Sequence, residues 1–186
     1  MTNLAYERFH ENLVKLKLNT VGIILDNYLE IAAKEGKTTL EVLDYLMDQE
    51  KHAKDASSQE TRMKLAGFPV KKRLEDFDFE FQHSIDKTVI SDFSMLRFVY
   101  NAENVVFLGP PGVGKSHLAV ALGIEAVKSG LSVYFANAGI LIERLKKANG
   151  EGLLEDKLRT LAKYKLLIID EMGYLPFDSE GANCFF

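Results

Sequence analysis

Residues 109–116 read Gly109-Pro110-Pro111-Gly112-Val113-Gly114-Lys115-Ser116, which matches the phosphate-binding pattern G-x-x-x-x-G-K-[ST]. The apolar run 105–108 before it predicts a strand over 104–108, and the pattern after it predicts a helix over 115–129. Glycines let backbone N–H groups curve around phosphate oxygens without Cβ clashes. The helix N-terminus adds unpaired donors and the positive end of its dipole. An ordinary glycine-rich turn is the alternative, and the flanking strand and helix argue against it.

This loop predicts a site for ATP with Mg²⁺. We expect Lys115 to reach the β- and γ-phosphates and the Ser116 hydroxyl to ligate the metal. The nucleotide-binding residues expected from the loop and the start of its helix are Gly109, Pro110, Pro111, Gly112, Val113, Gly114, Lys115, Ser116 and His117.

A second motif closes the apolar segment 165–169, where Asp170 and Glu171 follow Lys165-Leu166-Leu167-Ile168-Ile169. An acidic pair after four apolar residues is by itself more typical of a strand leaving the core. Its position about 55 residues after the phosphate loop, with one predicted strand between, favours a functional role. We expect Asp170 to hold Mg²⁺ as a Walker B aspartate and Glu171 to act as general base toward water. Both would lie at the carboxyl end of a strand, where open α/β sheets bind ligands.

The acidic pair also separates classes of P-loop protein. Kinases and GTPases do not normally place a catalytic glutamate after the Walker B aspartate, whereas AAA+ and RecA-like ATPases often do. The pattern therefore favours ATP hydrolysis coupled to conformational change, with Glu171 and Lys115 as the catalytic residues.

Composition restricts the remaining classes. The chain has 186 residues and a formal net charge of −4, so no overall basic field indicates a nucleic-acid partner. Its one cysteine, Cys184, excludes an intramolecular disulfide and suits a reducing compartment. No signal peptide and no apolar run long enough to span a bilayer is visible. We therefore expect a cytoplasmic protein with no membrane partner.

The chain divides into two compositional zones. Residues 1–67 predict a small helical domain, because no proline and only two glycines occur before residue 67 and apolar residues recur at helical spacing. Gly36 is expected to end one helix, and Thr38 or Thr39 to cap the next with Glu41 in a capping box. The break at Gly67-Phe68-Pro69 opens a linker over 68–82. Residues 83–186 alternate strands and helices, with further strands expected at 132–136 and 165–170 and helices at 138–148 and 153–162.

Two features near the linker leave alternatives open. Residues 61–73 contain no acidic residue and five basic ones, which fit either a solvated hinge or contacts to DNA phosphates. Phe77, Phe79 and Phe81 alternate with acidic residues. Core packing of this segment is the favoured interpretation, and a contact to adenine is the other.

At these motifs the sequence resembles the IstB-like transposition helper ATPases, which are AAA+ proteins related to DnaC-like helicase loaders. The resemblance rests on Gly109–Gly123, on Ile169-Asp170-Glu171-Met172-Gly173-Tyr174-Leu175-Pro176-Phe177, and on the linker from Phe68-Pro69 to Phe79. It covers essentially the whole chain. It implies an α/β P-loop NTPase core of AAA+ type with a parallel sheet, behind a helical N-terminal domain. It also implies ATP binding, homo-oligomerisation on duplex DNA, and delivery of that DNA to a transposase.

Members of that family continue with a strand bearing a polar sensor residue and with an arginine finger, whereas this chain has 15 residues after Glu171. We therefore expect a truncated chain with an incomplete sheet, in which nucleotide binding survives and efficient hydrolysis does not. Two alternatives to an active transposition helper stay open: a helicase loader, and a nucleotide-binding module without turnover.

Overall fold

The computed structural model describes residues 2–81 and 85–172. The predictions that concern Cys184 and the 173–177 part of the resemblance lie outside the described residues. The chain divides into two compact units, Met1–Ser58 and Gln59–Phe186. In chain order the described elements are α1 (Thr2–Lys15), α2 (Asn19–Glu35), α3 (Thr39–Leu65), a 3₁₀ turn (Leu74–Asp76), α4 (Lys87–Ser94), α5 (Arg97–Tyr100), α6 (Lys115–Lys128), β1 (Val133–Asn137), α7 (Ala138–Gly150), α8 (Leu154–Leu161) and β2 (Leu166–Asp170).

The first unit is helical. Its core is made by one face of α2 together with Leu13 of α1 and Leu46 of α3. The buried α2 residues follow the expected helical period and are Val21, Leu25, Tyr28 and Ala32. Val42 of α3 packs against this core, whereas Leu4 of α1 and Leu40 of α3 are exposed.

Local signals set the ends of these helices. Gly36 ends α2 in the left-handed conformation (φ 66°), which glycine adopts without a Cβ penalty. Thr38 and Glu41 form the predicted capping box: the Thr38 N–H donates to Glu41 Oε2 at 2.7 Å and the Glu41 N–H to Thr38 Oγ1 at 3.3 Å. Hydrogen bonds from Thr38 hold the pKa of Glu41 below its ordinary value.

The second unit contains a small parallel sheet covered by helices. β1 pairs with β2 in a register that places Val133 opposite Leu166 and Asn137 opposite Asp170. α6 packs directly on β2, since a Cβ added at Gly123 would lie 2.6 Å from Ile168 Cδ1. The buried residues of the core between helices and sheet are Ala66, Leu96, Phe98, Ala126, Val127, Val133 and Ile168. The helices predicted at 115–129, 138–148 and 153–162 are present, with ends shifted by at most two residues.

The predicted strand over 104–108 is wrong. Within the described part of the chain these residues form neither strand nor helix, and Val106 and Leu108 are 73% and 89% exposed. A strand needs hydrogen-bonding partners on a neighbouring strand, and the described sheet contains β1 and β2 alone. Apolar character was therefore not sufficient to make this segment a strand.

Helices α4 and α5, which precede that segment, were not predicted from the sequence. α4 begins at a cap that the sequence does contain, because Asp86 Oδ1 accepts the Thr88 N–H at 2.7 Å. Within residues 2–81 and 85–172, none of the helices has both the length and the apolar character required to cross a bilayer.

Candidate nucleotide site

The glycine-rich loop leads into α6, whose first helical residue is Lys115. Gly112 and Gly114 have φ values of 84° and 91°, in the region that favours glycine. Pro111 and Gly112 are exposed and Val113 and Gly114 are half-buried, so one side of the loop faces solvent. The loop conformation thus favours glycine at both positions, of which the pattern itself fixes Gly114.

Lys115 folds back over this loop. Its Nζ donates to the carbonyl oxygens of Gly109 and Pro110, each at 2.8 Å. These contacts place a positive charge beside the backbone of the loop. A cation in this position attracts an anionic ligand that approaches the loop.

Ser116 and Asp170 are brought together by the packing of α6 on β2. Ser116 Oγ donates to Asp170 Oδ1 at 3.0 Å across 54 residues of sequence. A hydroxyl and a carboxylate are the oxygen donors that Mg²⁺ prefers, and Mg²⁺ usually keeps several waters beside one or two protein ligands. The donor set that the structure assembles therefore fits the metal.

Glu171 follows β2 in a constrained conformation. Its φ of 63° is in the left-handed region, and its N–H donates to Asp170 Oδ1 at 3.0 Å. Its Oε2 accepts a short hydrogen bond from the side-chain amide of Asn137. The same asparagine caps α7, since its Oδ1 accepts the N–H groups of Gly139 and Ile140 at 3.0 and 3.3 Å. The cap fixes the amide so that its nitrogen faces Glu171.

The linker contacts the phosphate loop from one side. Phe77 is 9% exposed, and a Cβ added at Gly114 would lie 2.5 Å from Phe77 Cε2. His117 Nε2 donates to the carbonyl oxygen of Arg73 at 2.8 Å. The predicted core packing is confirmed for Phe77 and is wrong for Phe81, which is 77% exposed.

The model of the IstB-like ATP binding protein family matches residues 11–186 of this sequence. The chain belongs to this family.

Similar proteins come from several bacterial insertion sequences. The chain is 42% identical to a protein named for ATP binding in insertion sequence IS232 of Bacillus thuringiensis subsp. berliner, over 98% of this chain and 73% of that protein. It is 43% identical to the corresponding IS21 protein of Pseudomonas aeruginosa, over 94% of this chain and 66% of that protein. It is 40% identical to the IS5376 protein of Geobacillus stearothermophilus, over 97% of this chain and 72% of that protein. The alignments thus span about two thirds to three quarters of these relatives.

In this IstB-like chain the phosphate loop and the acidic pair after β2 are in contact. The structure brings Ser116 of the loop into contact with Asp170 of the acidic pair, while His117 turns its Nε2 toward the linker. Asn137 was not among the site residues predicted from the sequence. A signal for it was present, since an asparagine between a predicted strand and a predicted helix is a good N-cap and also lies at a strand's carboxyl end.

Proposed function

We propose that the chain binds ATP with Mg²⁺ between the phosphate loop and the carboxyl end of β2, as the ATP-binding helper of an insertion sequence. The observation that carries the proposal is the 3.0 Å contact between Ser116 Oγ and Asp170 Oδ1, because it joins the two halves of a P-loop site. The family match and the names of the relatives, which are insertion-sequence ATP-binding proteins, support the same conclusion.

Each polar group has a proposed task in this site. The N–H groups of the loop and Lys115 bind the phosphates, with Nζ exchanging the carbonyls of Gly109 and Pro110 for phosphate oxygens. Ser116 and Asp170 hold Mg²⁺, which when bound neutralises charge on the β- and γ-phosphates. Glu171 accepts a proton from the attacking water, and Asn137 fixes the carboxylate that does so.

The dependence of ATP affinity on Mg²⁺ tests this assignment. Titration calorimetry with the full chain should give tighter ATP binding with Mg²⁺ than with a chelator present. Ser116→Ala and Asp170→Asn should each remove most of that difference, because each deletes one proposed metal ligand. Ser129→Ala, an exposed serine at the other end of α6, is the matched control. Full metal dependence in the Asp170→Asn protein, or no ATP binding by the unmutated chain, would contradict the proposal.

We further propose an AAA+ type core over 83–186, with residues 1–67 making contacts to DNA or protein partners across a linker at 68–82. The chain would act in the cytoplasm as a homo-oligomer with a transposase. Relatives named for insertion sequences favour the transposition helper over the helicase loader. Affinity capture with the tagged chain distinguishes them: recovery of the element's transposase supports the first, and recovery of a replicative helicase supports the second.

DNA binding is proposed to be electrostatic and independent of sequence. Lys71, Lys72 and Arg73 are exposed on the linker and suit phosphate oxygens, which carry no base code. Reversal of all three charges should weaken binding equally on any duplex. It should also reduce the slope of log affinity against log salt by about 0.9 for each phosphate that the protein no longer neutralises. A strong preference for one duplex sequence at high salt would contradict this proposal.

A further inference from the structure

We infer that the linker segment 73–77 holds the phosphate loop in its binding conformation, and that His117 and Phe77 act as positioning residues for nucleotide phosphates. The inference rests on the proposed function. It assigns to His117 a task different from the direct nucleotide contact expected from its place in the motif.

The Phe77 ring supports the loop at its last glycine. The ring lies so close to Gly114 that a Cβ there would come within 2.5 Å of Cε2 and 3.1 Å of Cζ. The ring is itself anchored, because it packs in a buried cluster with Ile90 and Leu118. Gly114 has a φ of 91°, so its backbone holds a conformation that the rest of the chain must stabilise. The ring is a fixed surface against which that conformation is held.

His117 ties the same loop to the linker backbone. A carbonyl oxygen only accepts, so the Nε2 nitrogen that lies 2.8 Å from the Arg73 oxygen carries the proton. The Arg73 N–H in turn donates to Asp76 Oδ2 at 3.0 Å. The main chain of Arg73 is thus held on both sides. The imidazole also packs edge-to-face with the Phe77 ring, with ring centroids 5.2 Å apart. Linker, ring and first turn of α6 form one connected unit.

This arrangement predicts that the affinity of the loop for phosphate groups depends on the linker. If His117 and Phe77 position the loop, their loss weakens every ligand that the loop binds through phosphates. If they instead contact adenine or ribose, their loss weakens ATP and leaves a ligand without a nucleoside unaffected. Inorganic tripolyphosphate is such a ligand.

The test compares ATP and inorganic tripolyphosphate, each with Mg²⁺, by calorimetry on the full chain and on His117→Ala, His117→Gln and the control His52→Ala. We expect His117→Ala to weaken both ligands by about three- to tenfold, the effect of removing one hydrogen bond. His117→Gln offers a side-chain N–H at a similar reach and should restore most of the affinity. His52→Ala removes an exposed histidine from α3 and should bind both ligands normally.

Other outcomes overturn the inference. Unchanged affinity in His117→Ala, or a loss confined to ATP, would exclude a positioning role. Thermal unfolding without ligand shows whether His117→Ala folds. If it does not fold, Phe77→Leu replaces it, and the same outcomes with ATP and tripolyphosphate apply. Failure of the unmutated chain to bind either ligand would instead reject the proposed function, and this inference with it.

Discussion

Two apolar segments of similar composition, 105–108 and 166–169, have different structural environments although each leads into a proposed functional motif. The second is paired with β1 and has Ile168 buried at 8% exposure. The first has no strand partner among the described residues and has Leu108 exposed at 89%. Both have the composition of a buried strand. The difference lies in the partner, because a strand satisfies its backbone groups only on a neighbouring strand.

The motifs that follow them are held differently as a result. The phosphate loop is held by two sets of contacts. Lys115 donates to the carbonyl oxygens of Gly109 and Pro110, and the linker contacts Gly114 and His117. The acidic pair is held by strand register and by Asn137 on β1. Under the proposed function the loop binds the phosphates of ATP, and the acidic pair holds Mg²⁺ and activates the attacking water. Substitutions on the two sides should therefore change different measurable quantities.

The largest expected effect is on turnover. Glu171→Gln keeps the side chain's shape and removes its basicity, so phosphate release should fall about 10²–10⁴-fold while ATP affinity persists. Phosphate release and ATP titration on the same preparations measure the two quantities, with the exposed Glu30→Gln as matched control. Unchanged turnover would remove Glu171 from the mechanism. Absence of turnover in the unmutated chain would favour the module that binds nucleotide without hydrolysis.

The two apolar segments can be compared directly by truncation. Ile168→Ala should lower the free energy of unfolding by about 2–5 kcal/mol, because it leaves a cavity in the core beneath α6. Leu108→Ala should change it by less than about 0.5 kcal/mol, as at other exposed positions. Urea denaturation followed by circular dichroism gives both values. Equal losses would mean that 104–108 is buried in solution, contrary to the structure.

A substitution in the phosphate loop should lower the affinity for ATP. Lys115→Ala removes a charge-assisted contact of about 1.5–3 kcal/mol, so ATP affinity should fall roughly ten- to a hundredfold. Lys34→Ala removes the same charge from an exposed position of α2 and should bind ATP normally. Affinity close to that of the unmutated chain in Lys115→Ala would refute the assignment of the loop.

Elements determined by short-range signals were predictable from the sequence. The capping box of Thr38 and Glu41, the left-handed Gly36 and the helix after the phosphate loop follow from residues within a few positions of one another. The strands at 133–137 and 166–170 were also found, because each leads into a recognisable helix or acidic motif.

The errors have a tertiary cause. Whether 104–108 is a strand depends on a partner that its own residues do not specify. The bond from His117 to Arg73 and the contact of Asn137 with Glu171 join residues 44 and 34 positions apart, so spacing could not reveal them. The predicted meeting of Ser116 and Asp170 was accessible at a similar separation because a recognised pair of motifs implied it.

The smallest expected effect separates the two tasks of Asn137. Asn137→Asp keeps an oxygen that can cap α7, and it replaces the amide donor with a negative charge beside Glu171. Turnover should fall about three- to tenfold, the effect of removing one hydrogen bond, while thermal stability and ATP affinity stay close to those of the unmutated chain. Asn137→Ala should lose the cap as well, and with it about 0.5–2 kcal/mol of stability. Normal turnover in Asn137→Asp would mean that register alone positions the acidic end of β2, without help from the neighbouring side chain.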